Sequence, residues 1–128
     1  MNPKYFRTAK NLALTVPHRF KVGAVLVRGH SIIGKGKNDM EKGHPLMSFY
    51  ATDEYKKYIG LHAEFDAVRN LRPYDIRKGK LYVYRHRRNG TQGLASPCPV
   101  CVGVLIEKGV REVFFSKDNE GYGYMRLI

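Results

Sequence analysis

Two cysteines stand three positions apart in this chain, in the segment Pro97-Cys98-Pro99-Val100-Cys101. Cysteines at this spacing lie on the same side of one helical turn, so both sulfurs can reach a single metal ion. The exposed N–H groups at a helix start also stabilise anionic sulfur. In a reducing compartment, such a pair is more typical of a metal site or a redox site than of a structural disulfide.

A second motif, His62-Ala63-Glu64, lies at the start of another predicted helix. Each motif is a weak signal alone, because C-x-x-C also occurs in redox sites and zinc knuckles and H-x-E arises by chance. Together, with a predicted strand between them, they resemble the H-x-E and P-C-x-x-C signature of the cytidine and deoxycytidylate deaminase superfamily. The resemblance covers most of the chain, since the order of predicted elements also agrees.

The resemblance implies a Zn²⁺ ion held by His62, Cys98 and Cys101, with Glu64 moving protons. Three protein ligands leave a tetrahedral zinc one open position at which it can activate water, whereas structural zinc sites are normally closed by four ligands. The alternative is a structural zinc closed by another side chain. The candidates for that fourth ligand are His86 and His44.

Candidate substrate contacts come from three regions. By resemblance, the backbone N–H of Ala63 contacts the base, and Asn38, which follows the second predicted strand, contacts the sugar; the alternative for Asn38 is an ordinary turn residue. A basic cluster follows the third strand, and we expect the loop that it begins to border the pocket and bind a 5′ phosphate or a nucleic-acid strand. The alternative is a solvated basic loop. The members of the cluster are Arg85, His86, Arg87 and Arg88.

Aromatic side chains that could stack on a base are spread along the chain, and the sequence does not choose among them. They are Phe20, Phe49, Tyr50, Tyr84, Tyr122 and Tyr124.

The elements that position these residues alternate between helix and strand. We expect a first helix after Asn2 and a hairpin of two strands around Gly29, with residues 35–60 largely loop. Apolar residues spaced by three or four predict a second helix; they are Leu61, Phe65, Val68 and Leu71. A strand at 81–84 and a third helix from Pro97 to Gly109 come next.

Two more strands are predicted, at 113–115 and 122–127. The connection between them is too short for a crossover helix, so they should run antiparallel. The whole pattern predicts an α/β, cytidine-deaminase-like layered fold, with a five-stranded mixed sheet flanked by about three helices.

Length and composition limit the organisation and the partners. A chain of 128 residues with 43% hydrophobic residues suits one folded domain, so we expect residues 1–128 to form a single zinc-dependent deaminase domain. The formal net charge of +12 favours an anionic partner, a nucleotide or a single-stranded nucleic acid. No apolar run predicts a membrane helix or a signal peptide, so we expect a cytoplasmic protein. Related enzymes often assemble as dimers or larger oligomers, so the resemblance leaves open that this chain forms a homo-oligomer.

The motifs leave the substrate open. Free-nucleoside cytidine deaminases usually carry Cys at the position of His62, so the resemblance favours the deoxycytidylate-like and nucleic-acid-acting branches. The chain ends at Ile128, before the helix and parallel strand that polynucleotide-editing enzymes commonly add. We therefore expect hydrolytic deamination of cytosine in a nucleotide such as deoxycytidylate or cytidylate. Two alternatives are a cytosine or adenosine deaminase acting on single-stranded DNA or RNA, and a non-catalytic nucleic-acid-binding protein with a structural zinc.

Overall fold

A mixed β-sheet forms the centre of the fold in the computed structural model, which describes residues 1–39, 62–118 and 120–128. Its strands are β1 (Lys21–Arg28), β2 (Ser31–Lys37), β3 (Gly79–His86), β4 (Gln92–Gly93), β5 (Val110–Ser116) and β6 (Tyr122–Arg126). The strand order is β2-β1-β3-β5-β6, and β4 pairs with β3 beside this path. The sheet is mixed because β3 and β5 are parallel while the other pairs are antiparallel. The antiparallel arrangement of β5 and β6 confirms the prediction, and the short β4 is the strand that the sequence did not reveal.

Helices cover both faces of the sheet and make a three-layer α/β/α arrangement. The helices of the described residues are α1 (Pro3–Leu14), α2 (Ala63–Val68), α3 (Pro73–Ile76) and α4 (Pro99–Lys108). On one face, Phe6 and Ala9 of α1 pack with Val25 and Tyr82. On the other face, α2 and α4 share a larger core with β1, β3 and β5. Among the described residues, no helix has the length and apolar character needed to cross a membrane.

Short-range signals explain where several elements begin and end. The Asn2 side chain accepts a hydrogen bond from the backbone N–H of Lys4 at 3.1 Å, which caps α1. Gly29, with φ of 62°, forms the turn between β1 and β2. Gly109, with φ of 90°, ends α4 in the left-handed conformation.

The second helix is shorter than its apolar spacing predicts. It ends at Val68, and Leu71 packs against the same core from a turn instead. Arg72 precedes Pro73 and is extended, because a residue before proline is disfavoured in the helical conformation. The chain then restarts as the short α3. Leu61 of the predicted stripe lies outside the described residues.

Two further boundaries differ from the predictions. The third predicted helix begins at Pro99 rather than Pro97, because Cys98 is extended and occupies the N-cap. Residues 35–37, which were expected in a loop, continue β2, where they pair with β1. The remainder of the predicted loop, from residue 40 to 60, lies outside the described residues.

Glycines bring α2 into direct contact with β2. A Cβ atom at Gly36 would collide with the carbonyl oxygen of Ala63, and one at Gly34 would collide with the carbonyl oxygen of Ala67. The backbone N–H of Lys37 also donates to the carboxylate of Asp66 on α2 at 3.1 Å. These contacts set the height of α2 above the sheet and therefore the position of its N-terminus.

We predict that Gly36→Ala lowers the free energy of unfolding by about 1–3 kcal/mol, because the added methyl group must push α2 away from β2. Denaturant-induced unfolding measures this change, and Lys35→Ala on the exposed side of the same strand is the control. Equal stability of the Gly36→Ala variant and the parent would contradict the close contact.

Candidate metal centre and active site

The metal-binding residues meet where two helices begin on the same side of the sheet. His62 is the N-cap residue of α2, and Cys98 is the N-cap residue of α4. Cys101 lies in the first turn of α4, and its backbone N–H donates a hydrogen bond to the Cys98 sulfur, with 3.5 Å between nitrogen and sulfur. The N–H groups of a helix start favour negative charge on these sulfurs.

The spacing of the three donor atoms suits one zinc ion. The Nδ1 atom of His62 lies 3.2 Å from Sγ of Cys101 and 3.6 Å from Sγ of Cys98. A tetrahedral zinc with ordinary Zn–N and Zn–S bonds separates such donors by about 3.5 Å. All three donor atoms lie within 4.8 Å of one another, so the cluster of His62, Cys98 and Cys101 could hold one zinc ion by both geometry and chemistry. The sequence prediction that these residues come together is confirmed.

The two cysteine side chains are coupled by a hydrogen bond, which shifts their pKa values in opposite directions. The hydrogen bond from the Cys101 thiol is the main reason that the pKa of Cys98 falls to about 4. The same hydrogen bond, followed by burial, raises the pKa of Cys101 well above its ordinary value. Since a metal ligand must be a thiolate, binding a divalent ion releases the remaining proton of Cys101.

Glu64 lies beside the metal donors without being one of them. Its side chain is buried at 7% exposure in the first turn of α2, and its carboxyl group interacts with the Cys101 side chain. Burial raises the pKa of this carboxyl group, and the nearby His62 imidazole opposes the rise. A buried carboxyl group with a shifted pKa beside a possible metal site is a candidate for proton transfer.

A cavity of about 400 Å³ opens onto the metal donors. Its wall combines apolar side chains with a few polar groups, as small-molecule sites do. The lining residues are Phe20, Val22, Asn38, His62, Ala63, Glu64, Leu94, Ala95, Ser96 and Cys98. We call this cavity the metal pocket. Ala63 lines it as the sequence predicted, and the proposed contact of its N–H with a base stays a prediction.

Asn38 lies in the wall of the metal pocket and joins two segments of backbone. Its side-chain oxygen accepts a hydrogen bond from the N–H of Val22 at 2.8 Å, and its side-chain nitrogen donates to the carbonyl oxygen of Phe20 at 2.7 Å. These bonds hold the chain before β1 against the end of β2. Its predicted contact with the sugar stays a prediction, while the alternative of an ordinary turn residue does not describe a side chain with 5% exposure.

The arginines predicted to contact substrate do not line the metal pocket. Arg85, Arg87 and Arg88 line an adjoining cavity of about 640 Å³, and Phe20 belongs to the walls of both cavities. The Arg85 guanidinium lies over the Phe20 ring at 4.3 Å from its centroid. The basic cluster therefore lies next to the pocket, separated from the metal donors by one aromatic side chain.

Among the aromatic candidates in the described residues, Phe20 lies in the metal pocket with 42% exposure. Tyr84 is buried in the α1 core, Tyr122 stacks on Phe6, and Tyr124 packs on Phe114. The remaining two candidates, Phe49 and Tyr50, lie outside the described residues.

His86 does not join the metal donors. Within residues 1–39, 62–118 and 120–128, the donor cluster contains His62, Cys98 and Cys101. His86 instead lines the adjoining cavity of about 640 Å³, together with the arginines. His44 lies outside the described residues, so the alternative of a fourth ligand stays untested at that position.

Sequence reasoning missed the residues that hold the pocket wall. Ser116 at the end of β5 is fully buried; its hydroxyl group donates to the carbonyl oxygen of Gly93 at 2.7 Å and accepts from the N–H of Arg85 at 3.1 Å. Its carbonyl oxygen accepts from the N–H of Ala95, which lines the pocket. A lone serine at a strand end carries no sequence signal for this role, because its partners are distant in the chain.

We predict that His62→Gln weakens zinc binding by more than about 100-fold, since even outer-shell changes weaken metal sites by 10–100-fold. His86→Gln is the matched control and should keep the zinc of the parent protein. Competition with a chromophoric chelator measures both affinities. Loss of zinc in the His86→Gln variant alone would show that the donor set is wrong.

Comparison with known proteins agrees with this geometry. The model of the cytidine and deoxycytidylate deaminase zinc-binding region matches residues 2–117. Human deoxycytidylate deaminase is 29% identical over an alignment of 126 residues, and the match covers 91% of this chain and 65% of that protein. The chain thus spans somewhat less than two thirds of this curated relative.

Two solved structures are similar over nearly their whole lengths. The dCMP deaminase of the cyanophage S-TIM5, solved with dCMP and dUMP, has a TM-score of 0.60 and 25% identity, over 91% of this chain and 84% of that one. Cytidine deaminase from Burkholderia pseudomallei has a TM-score of 0.67 over 99% of this chain and 93% of that one; at 21% identity it shows the fold alone. On its sequence match, its fold and its zinc donors, this chain belongs to the cytidine and deoxycytidylate deaminase family.

Proposed function

We propose that this chain hydrolyses the exocyclic amino group from the cytosine of deoxycytidylate, giving deoxyuridylate and ammonia. In this proposal residues 1–128 form one zinc-dependent deaminase domain. His62, Cys98 and Cys101 hold the metal, and Glu64 is the catalytic residue that moves protons. Because the ligand thiols must stay reduced, we also propose a cytoplasmic location.

The observation that carries the proposal is the buried Glu64 carboxyl group at the metal end of the pocket. A structural zinc has no use for an acid that does not bind the metal, and burying that acid costs free energy. A hydrolytic enzyme needs such a group within reach of both water and substrate. This argues for catalysis and against the non-catalytic alternative.

When bound, zinc supplies a Lewis acid that makes water a nucleophile near neutral pH. The Glu64 carboxylate accepts a proton from the attacking water and delivers it to the ring nitrogen next to the amino-bearing carbon. It then carries the second water proton to the departing amino group. One water molecule is consumed, the C–N bond breaks, and the new carbonyl oxygen comes from that water, so the atoms balance.

The shape of the pocket supports a single pyrimidine as the reacting base. Phe20 and Val22 provide apolar walls, and Ala63 lies next to the acid and allows a flat ring to approach it. Arg85 on the far side of the Phe20 ring offers a cation for a phosphate. The human relative is named for deoxycytidylate, and the cyanophage enzyme was solved with dCMP and dUMP, which favours this substrate over a free nucleoside.

The alternative is a deaminase acting on single-stranded DNA or RNA. It rests on the charge of +12 and on the arginine-lined cavity of about 640 Å³ beside the metal pocket. The relatives compared above do not support it, so it is the second proposal. Assembly into a homo-oligomer stays a prediction.

We predict that Glu64→Gln lowers kcat for deoxycytidylate by about 10²–10⁴-fold, because the amide cannot accept and donate the transferred protons. Ammonia release measures turnover, and metal analysis of the same sample should show zinc retained. Glu107→Gln is the control, since that carboxyl group is exposed on α4 and does not line the pocket.

The same assay tests the substrate. Deoxycytidine, deoxycytidylate and a cytosine-containing oligonucleotide are compared at equal concentration. Turnover of deoxycytidylate that disappears in Glu64→Gln is the expected result. Turnover confined to the oligonucleotide would replace the first proposal with the second, and full activity of Glu64→Gln would remove this residue from the mechanism.

We predict that Phe20→Ala raises KM for deoxycytidylate by about tenfold, because stacking on an aromatic ring contributes about 1–3 kcal/mol per base. Steady-state kinetics measures the change. Tyr74→Ala, an exposed aromatic on α3, should leave KM at the parent value. An unchanged KM in Phe20→Ala would mean that the base does not contact this ring.

A further inference from the structure

A basic surface continues outward from the metal pocket. The cavity of about 640 Å³ beside Phe20 adjoins a second one of about 420 Å³, and both have Arg19, Arg87 and Arg88 in their walls. Arg85 lines the inner cavity, and Lys21 lines the outer one. We call these two adjoining cavities the basic groove. It extends from the inner cavity, which shares Phe20 with the metal pocket, to the outer cavity, which Lys21 lines.

The groove carries five permanent cations, and the described residues that line it include no acidic side chain. Asp118 reaches Arg87 at 3.8 Å but is itself 57% exposed, so solvent screens this pair strongly. Within residues 1–39, 62–118 and 120–128, no carboxylate forms an ion pair with Arg19 or Arg88. Like charges gathered in a concave surface repel one another and concentrate anions.

The positions of the cations differ along the basic groove. Arg85 is nearest the metal pocket, because its guanidinium lies on the Phe20 ring. Lys21 lines the outer cavity and donates to the carbonyl oxygen of Val16 at 2.9 Å, which fixes its ammonium group in place. A single terminal phosphate, with a charge of about −1.5 to −2, does not neutralise the charge of five cations. Phosphates joined in series would meet them in turn.

We propose that the basic groove binds two or more consecutive phosphates that extend from a cytosine nucleotide held in the metal pocket. A nucleoside triphosphate and a single-stranded oligonucleotide both present such a chain of phosphates. The placement of the base rests on the proposed function, whereas the binding of phosphates in the groove does not require turnover.

The test compares the binding of uracil ligands, which the proposed reaction does not consume. The probes are deoxyuridine monophosphate, deoxyuridine triphosphate and a pentanucleotide of thymidylates with deoxyuridylate at its centre. Titration calorimetry with zinc-loaded protein measures each Kd at one fixed salt concentration, since phosphate contacts depend on salt. We expect the triphosphate or the pentanucleotide to bind at least about tenfold more tightly than the monophosphate, because a charge-assisted hydrogen bond contributes that much or more.

The variant Arg19→Gln/Arg88→Gln should remove this preference. The matched control is Arg7→Gln/Arg111→Gln, which removes the same charge from α1 and β5 at residues that line neither the metal pocket nor the groove. The control should keep the preference. Thermal unfolding confirms that the variants are folded, and Arg88→Gln alone replaces the double variant if that one is not.

The outcomes distinguish a free nucleotide from a nucleic-acid strand as the ligand, and they test the groove separately from the proposed deaminase function. Tight binding of the triphosphate alone identifies a free nucleotide, and tight binding of the pentanucleotide alone identifies a nucleic-acid strand. Equal Kd values for all three probes, or equal losses in the two double variants, overturn the proposal. A protein that releases no ammonia but keeps the preference would overturn the proposed function and support the groove.

Discussion

The structure depends on two helices that begin at the same end of the strands, near the carboxyl end of β3. The helix α4 connects β3 to its parallel neighbour β5, so its N-terminus must return to the edge where β3 ends. The helix α2 lies directly on β2 across Gly36, and its N-terminus reaches the same edge. Donors that are 36 and 39 positions apart in the chain thereby come within 3.6 Å. The metal site follows from this strand order as much as from the residues that ligate.

Buried polar side chains keep the pocket open beside that edge. Asn38 bonds to the backbone of Phe20 and of Val22, and Ser116 joins the ends of β3, β4 and β5. Satisfied hydrogen bonds in an apolar surrounding hold backbone segments in one arrangement. The pocket wall is therefore placed before any ligand arrives, which is the property that a site for chemistry requires. Arg85, Arg87 and Arg88 lie outside this wall, in the adjoining cavity.

Much of the fold could be predicted because its signals are local. The alternation of strand and helix, the Asn2 cap and the Gly109 stop depend on residues a few positions away. The predicted end of a helix was wrong where the same local pattern is compatible with a longer helix and with a helix followed by a turn. Leu71 continues the apolar spacing of α2, yet the helix ends at Val68, and Leu71 reaches the core from the turn that follows.

The sequence alone indicated which residues could bind a metal, which acid could lie beside them and the order of the main helices and strands, through residue type, local spacing and resemblance to a known signature. Only the tertiary structure decided which cavity each remaining side chain lines. It separated Phe20 from the other aromatic candidates of the described residues and placed Arg87 beside the metal pocket rather than in it. It also showed that Ser116 holds the pocket wall. The physical reason is that these contacts join strands distant in the chain, and their geometry is set by register and packing.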